Sequence, residues 1–388
     1  MIRVASVFSQ ILTLFPRIEF HAAVKQHQAD RYAKGFTCWE QFVAMLFCQL
    51  AQAKSLREIC TGLRCCLGKL QHLGVKEAPN KSTLAYANEH RSWELYETVF
   101  EQLLGKCQAL AQGRRKFRLR KKVYSFDSTV IDLCVSLFDW AKFRRTKGAI
   151  KLHLLLDHDG YLPCFAVVSK GKVPDVKMAW ALQLPADSVV VMDRGYVDYH
   201  LFGCWTEDSV WFVTRLKRSA AYRVVERRPV VEGSGVVCDQ LIELTSAEAR
   251  IVCPCRLRRV VYKDAETGQR LVFLTNHLGF AATTIARLYK ERWQVELFFK
   301  ALKQNLKVKT FVGTSPNAVR VQIWTALIAM LVLKYLQFRS RLGWALSNLV
   351  ALVRWNLFTY RDLWAWLDDP FEVPPLGPPV EQLALEFR

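Results

Sequence analysis

Four polar residues on one helix-patterned stretch limit the folds open to this chain more than any other feature. In LYKERWQVELFFKALKQNLKV, residues 288–308, Tyr289, Arg292, Glu296 and Lys303 follow at intervals of three, four and seven. On a helix turning about 100° per residue, all four fall inside an arc of roughly 60°. One face then presents a carboxylate, two permanent cations and a phenol on an otherwise apolar helix. A carboxylate set among cations can hold a divalent ion while its neighbours grip phosphates. A salt-bridged surface helix carries the same spacing, so the other segments decide.

Two upstream segments supply further carboxylates. KKVYSFDSTVIDL, residues 121–133, sets Asp127 in a run of alternating and β-branched residues that predicts a strand. DSVVVMDRGYVDYH, residues 187–200, sets Asp193 after four apolar residues, Val189 to Met192, and before an Arg-Gly turn. That pattern predicts a buried strand whose C-terminal end opens onto a loop. Two strand-borne aspartates and a helix-borne glutamate suit a two-metal site, in which hard oxygen ligands hold ions about 3.5–4 Å apart.

With FDST, MDRGY and the full Tyr289/Arg292/Glu296/Lys303 spacing in this order, the chain resembles the DDE transposases of bacterial insertion sequences. The likeness is to the group with the Tyr-Arg-Glu-Lys signature, the IS-4 group, and runs from about Lys121 to Val312. It implies an α/β fold with an RNase H-like catalytic core interrupted by a β-rich insertion domain. It also implies that Asp127 bridges two Mg²⁺ ions, with Mn²⁺ as a substitute, while Asp193 and Glu296 each complete one. Arg292 and Lys303 then hold phosphates near the cut end, and Tyr289 hydrogen-bonds a phosphate oxygen. Lys300 projects near the same face and could assist, although the family pattern does not name it.

The charge agrees with such a partner. A net charge of +20 on 388 residues, with pI near 9.6, points to a polyanion, nucleic acid before membrane. The cations cluster. Arg114, Arg115, Lys116, Arg118, Arg120, Lys121 and Lys122 form one run, and Lys142, Arg144, Arg145, Lys147 and Lys151 another. Both flank the Asp127 strand, where a DNA backbone has to pass. The twelve cysteines are scattered without zinc-finger spacing, Cys65-Cys66 and Cys253-Pro254-Cys255 included, which predicts reduced thiols in a cytoplasmic protein, and the resemblance implies a bacterial, nucleoid-associated one. The longest uncharged window, Val321 to Leu333, is short for a bilayer of about 30 Å and predicts a core helix, with no membrane partner.

Five regions follow. Residues 1–112 read as a helical DNA-recognition domain. Within it, Ser55-Leu-Arg-Glu58 is a capping-box sequence, and Asn80 to Thr83 open another helix. Lys81, Ser82 and Thr83 at that start are candidates for groove contact, although Ser82 or Thr83 could equally serve only as caps. Residues 113–200 hold the first part of the core, with a hairpin turning at His158-Asp-Gly160 and a helix from Asp175 to Leu184. Residues 201–278 read as the insertion, residues 279–335 as the second part of the core, and residues 336–388 as a helical C-terminal region with an acidic, Pro-punctuated tail. Some relatives stack an extruded base on an aromatic from the insertion's last strand. Here that strand reads Arg270-Leu-Val-Phe273, with leucine roughly where the wedge would stand, and Phe273, its candidate substitute, fits a core position as well. Trp324 and Trp344 read as core. Asp132, Asp157, Asp159 and Asp198 read as turn or surface residues, and His153 and His200 have no catalytic spacing.

The activity implied is cut-and-paste transposition of double-stranded DNA. Inverted-repeat ends are bound, cut by water, passed through hairpins and joined to target DNA by a homodimer that pairs two ends. A structural DNA nuclease and a non-catalytic transposase-derived regulator are the alternatives. The Tyr/Arg/Lys face argues against the first and the intact carboxylates against the second.

Overall fold

The computed structural model describes residues 5–371, apart from Tyr32, Lys34, Leu67, Arg115, Lys116, Arg118, Val135, Arg145, Thr146, Lys307 and Lys309. Three expected DNA contacts, Arg115, Lys116 and Arg118, therefore lie outside the described residues, as does the tail beyond Phe371. The side chains of Lys142, Arg144, Arg145 and Lys147 also lie outside them.

The chain opens with helices α1 (Val7–Leu12), α2 (Arg17–Gln26), α3 (Cys38–Leu50), α4 (Leu56–Arg64), α5 (Lys81–His90) and α6 (Glu94–Ala111). Their starts are set by capping. Thr37 and Glu40 exchange side-chain and backbone bonds in a complete capping box before α3. Before α4, Ser55 Oγ accepts from the Glu58 N–H at 3.1 Å. The Glu58 carboxylate reaches one residue further back, to the Lys54 N–H. α5 starts at Lys81, after Asn80.

A ten-stranded sheet follows. Its strands are β1 (Val123–Leu133), β2 (Lys142–Arg144), β3 (Lys147–Asp157), β4 (Leu162–Lys170), β5 (Val189–Met192), β6 (Trp211–Arg215), β7 (Tyr222–Arg228), β8 (Val236–Leu244), β9 (Leu257–Lys263) and β10 (Arg270–Thr275). β1 pairs antiparallel with β3, and β3 with β4, through the expected hairpin. Gly160 takes φ +72° in that turn, a conformation glycine adopts at little cost. On its other side β1 runs parallel to β5, and β5 parallel to β6. The helix expected from Asp175 to Leu184 is shorter, α7 (Asp175–Ala179), and tightens at its end into three-residue bonds from Ala181 N to Met178 O and Leu182 N to Ala179 O.

The strands read as an insertion are not set apart from this sheet. β6, inside that stretch of sequence, is hydrogen-bonded to β5, and β10 adds antiparallel to β6. β9, β8 and β7 then extend the same sheet outwards. Helices α8 (Tyr199–Glu207) and α9 (Ala247–Val252) cover one face with Tyr124, Phe126 and Met192 beneath them. α10 (Ala282–Glu291) covers the other, over Val123, Val191 and Phe273. Phe273 is 1% exposed and packs on Tyr289 at 5.0 Å, so it is core and no wedge.

After α11 (Trp293–Asn305) come α12 (Pro316–Arg339), α13 (Leu346–Asn356) and α14 (Leu363–Asp368). α12 spans 24 residues, longer than its uncharged window, and by length and composition could cross a membrane. In the protein 83% of its apolar stretch is buried. Trp324 meets Phe100 at 5.2 Å and Trp93 at 6.3 Å, and Gln49 donates to Gln322 O. α12 is thus the axle on which the N-terminal helices, α11 and the β1–β3–β4 end of the sheet share one apolar cluster. Trp344 lies in it too, as expected.

Candidate active site

Alternation along neighbouring strands brings the two aspartates together. Phe126 and Met192 are partners across the parallel β1–β5 pair, and Asp127 and Asp193 are the next residues on each. Both project, with Val123 and Val191, towards the face covered by α10 and α11, while Phe126 and Met192 point the other way. β5 ends at Met192, so Asp193 leaves the sheet into a 3₁₀ turn, Arg194–Tyr196.

The signature residues do not share one straight helix. The chain turns at Arg292 between α10 and α11, with three-residue bonds from Arg292 N to Tyr289 O and from Val295 N to Arg292 O. Each side of this turn serves a different carboxylate. Tyr289 Oη donates to Asp193 Oδ1 at 3.1 Å. Arg292 spans the other two, with Nη1 on Asp127 Oδ2 at 2.8 Å and Nη2 on Glu296 Oε1 at 2.6 Å. Lys303 lies further along and donates to Thr129 Oγ1 (2.6 Å) and Val130 O (2.9 Å), on β1 beyond Asp127. Lys300 is exposed.

Burial pushes the Asp127 carboxyl up to about 6, and the charges of Glu296 and Asp193 push the same way. The Ser128 N–H, donating at 2.8 Å, and Arg292 pull it back only in part. Burial likewise lifts the Tyr289 phenol to about 12, so it stays a donor at neutral pH. The side chains of Asp127 and Arg292 are 18% and 14% exposed.

Three hard carboxylates, two bridged by Arg292 and the third held by Tyr289, fit a divalent cation by donor type. Their mutual repulsion at Asp127 is what such an ion relieves. Among the described residues, no three of them stand ready to share one ion, because Arg292 bridges Asp127 and Glu296. Arg292 Nε is buried without an acceptor, a donor that a phosphate oxygen satisfies.

The expected cationic run is partly engaged by the protein itself. Arg114 donates to Phe338 O at 3.0 Å, Lys121 pairs with Asp187, and Lys122 pairs with Asp157 at 2.8 Å. Arg120 is exposed. Asp157, read as a turn residue, is buried to hold Lys122, and Asp198 caps α8. His153 is fully buried against Ser169, and burial lowers it to about 4. Lys81, Ser82 and Thr83 stand exposed on the first turn of α5, away from the carboxylates. The sequence reading missed Trp293, 54% exposed beside Arg292, and Leu297, exposed one turn on. Their spacing of four on the outer face of α11 was the available signal.

Residues 118–332 match the family described as transposase DDE domain, and residues 3–76 match a domain of unknown function, DUF4372. A putative transposase, y4zB, of Sinorhizobium fredii is 33% identical over 311 residues, 78% of this chain and 83% of the relative. A probable transposase for insertion sequence element IS5377 of Geobacillus stearothermophilus is 29% identical over 67% of this chain and 68% of its own length. Transposase InsG for insertion sequence element IS4 of Escherichia coli is 26% identical over 38% of this chain and 35% of its own. Among solved structures, a piggyBac transposase synaptic complex with hairpin DNA aligns with 96% of this chain and 83% of that one. The TM-score is 0.45 at 8% identity.

Proposed function

The chain belongs to the DDE-domain transposases of bacterial insertion sequences, and we propose that it binds its element's inverted-repeat ends, cuts them with divalent metal and joins them to target DNA. The observation that carries this reading is the bridge of Arg292 between Asp127 and Glu296, with Tyr289 on Asp193. Two carboxylates are linked by Arg292 and the third is held by Tyr289, three residues earlier in the chain. The order β4-β3-β1-β5-β6, with β5 and β6 parallel to β1, supports an RNase H-like core beneath them.

Asp127, Asp193 and Glu296 are the residues to hold Mg²⁺ or Mn²⁺. Bound ions supply an activated attacking oxygen and neutralise charge on the leaving oxygen. An incoming phosphate draws Arg292 off the carboxylates, since its buried Nε already lacks an acceptor. Tyr289 keeps its proton and can donate to a phosphate oxygen. Lys303 fixes β1 just beyond Asp127 through Thr129 and Val130, and Lys300 faces solvent where a backbone passes. Water makes the first cut, the freed 3′-hydroxyl closes a hairpin on the opposite strand, and water reopens it before strand transfer. Two ends require two copies, and Trp355, exposed on α13, gives the C-terminal helices an apolar contact for the second. Cytoplasmic DNA is the substrate.

The test is cleavage of labelled element ends in Mg²⁺, run beside a gel shift at matched salt. Glu296→Gln keeps the side chain's shape and removes its charge. Cleavage and hairpin products should fall by roughly three orders of magnitude or more, with end affinity nearly unchanged. Near-normal cutting by Glu296→Gln sinks the three-carboxylate site. Cutting of branched DNA without end preference favours a structural nuclease.

A further inference from the structure

Away from the carboxylates, the chain places two thiols in contact. α9 ends at Val252, and Cys253, Pro254 and Cys255 follow as its exit. Cys253 Sγ lies 3.4 Å from Cys255 Sγ. Cys253 is 1% exposed and packs with Phe202, Leu257 and Tyr196 on the underside of the sheet, whereas Cys255 is only half-buried. One sulfur is therefore open to a small reagent, and the other waits behind it.

The chemistry of the two sulfurs is unequal in the same sense. The hydrogen bond from Cys253 stabilises the Cys255 thiolate and holds its pKa below the usual thiol range. The same bond, with burial, holds the Cys253 proton well above it. A more acidic, accessible thiol beside a buried partner has the polarity of an attacking and a resolving cysteine.

We infer that Cys253 and Cys255 form a reversible dithiol–disulfide site that reacts with small disulfides of the glutathione type. The Cys255 thiolate attacks one sulfur of the reagent, forming a mixed disulfide and releasing one thiolate. Cys253 loses its proton to solvent, attacks the Cys255 sulfur and expels the second thiolate. Two protein thiols are oxidised, and one reagent disulfide is reduced to two thiols. The sulfurs close from van der Waals contact to about 2.05 Å, a local movement for cysteines two residues apart.

The site has a path to the rest of the fold. Cys255 Sγ is 3.8 Å from Thr206 Oγ1, which accepts from Asn276 Nδ2 at 2.9 Å. Asn276 also binds Phe212 N and Val210 O, tying β6 to the end of β10. Beside it, α8 and α9 touch so closely that a Cβ on Gly203 would lie 2.1 Å from Val252 O. Closing the disulfide pulls on this junction, and α8 begins shortly after Asp193.

The experiment incubates the full-length protein in buffers of graded oxidised-to-reduced glutathione ratio, followed by acid quench, alkylation and trypsin. Cleavage after Arg250 and Arg256 isolates Ile251–Arg256, which holds both cysteines and no other. The expected result is a peptide lacking two hydrogens and blocked to alkylation under oxidising ratios, with full return of both alkylation sites after dithiothreitol. Cys253→Ser should trap glutathione on Cys255, while Cys255→Ser should lose the reaction altogether, both with melting curves like the parent's. Double alkylation of the peptide at every ratio overturns the proposal, as does wild-type protein that stops at the mixed disulfide. Equal trapping on Cys253 in the Cys255→Ser protein overturns the assigned polarity.

Discussion

Asp127 is the residue of the candidate site on which burial acts most plainly. Its carboxyl titrates near 6 in the fold against 3.8 in an unfolded chain, because burial disfavours its charge. The fold thus prefers the protonated form. That contribution to stability is complete below pH 3.8 and lost as pH rises through about 6, amounting to about 3 kcal/mol. Asp127→Asn should therefore raise the melting temperature of metal-free protein by a few degrees at pH 7 and leave it unchanged at pH 3.5. Arg292 keeps Glu296 as a partner in that variant. Equal melting temperatures at pH 7 would show that Arg292 already offsets the burial of the charge. Mg²⁺ binding, followed calorimetrically, should weaken as pH falls through 6. The three candidate carboxylates could be named from sequence because Asp127 lies in an alternating strand run, Asp193 ends a short apolar one, and Glu296 keeps helical spacing with Tyr289, Arg292 and Lys303. Their link through Arg292 was not, since spacing says nothing of which cation reaches across to another strand. Lys303 makes the same point: seven residues from Glu296, it turns to Thr129 and Val130.

At the scale of elements, the sequence patterns predicted strands β1 and β5, but their parallel pairing, which sets Asp127 beside Asp193, came only from the resemblance and appears in the register Phe126–Met192. The straight-helix arc drawn from Tyr289 to Lys303 fails, because the chain turns at Arg292. No glycine or proline marks that turn; it lies between two anchors, Tyr289 on Asp193 and Glu296 on Arg292. Local pattern also left Phe273 open between base-stacking and core. The sheet settles it, since β10 pairs with β6 and carries Phe273 under α10. A pair of substitutions tests that division. Phe273→Ala should cost about 3–5 kcal/mol in denaturant unfolding. Trp293→Ala, on the exposed side of α11, should stay within about 0.5 kcal/mol of the parent. It should weaken binding to ends with unpaired terminal bases by about 1–3 kcal/mol, the range for one lost base–aromatic stack. A stable Phe273→Ala protein with reduced affinity for such ends would return Phe273 to the DNA.

For the whole molecule, the sequence divided residues 1–112 from the catalytic part by pattern alone, helical first and mixed afterwards. Composition cannot show that both sides bury their apolar residues in one place. Phe42, Met45, Tyr96 and Phe100 share their cluster with Leu302 of α11 and Trp324, Leu327 and Leu331 of α12. Removing residues 1–110 would strip several large side chains from around α12, each worth about 2–5 kcal/mol when its packing is lost. That total exceeds the ordinary margin of a folded domain. The truncated chain should therefore be insoluble or non-cooperative in melting, so end recognition has to be separated from catalysis by surface substitutions. Lys81→Ala with Thr83→Ala changes only exposed atoms at the start of α5. The double variant should melt like the parent, cut a pre-nicked end at near-parental rate, and lose most of its preference for matched ends over random duplex. Losing a phosphate contact at Lys81 should also lower the slope of log K against log salt by roughly 0.9. A soluble, cooperatively melting truncation that still cuts DNA would show that the catalytic part stands without the N-terminal helices. Unchanged end preference in the double variant would move recognition from α5 to another basic surface.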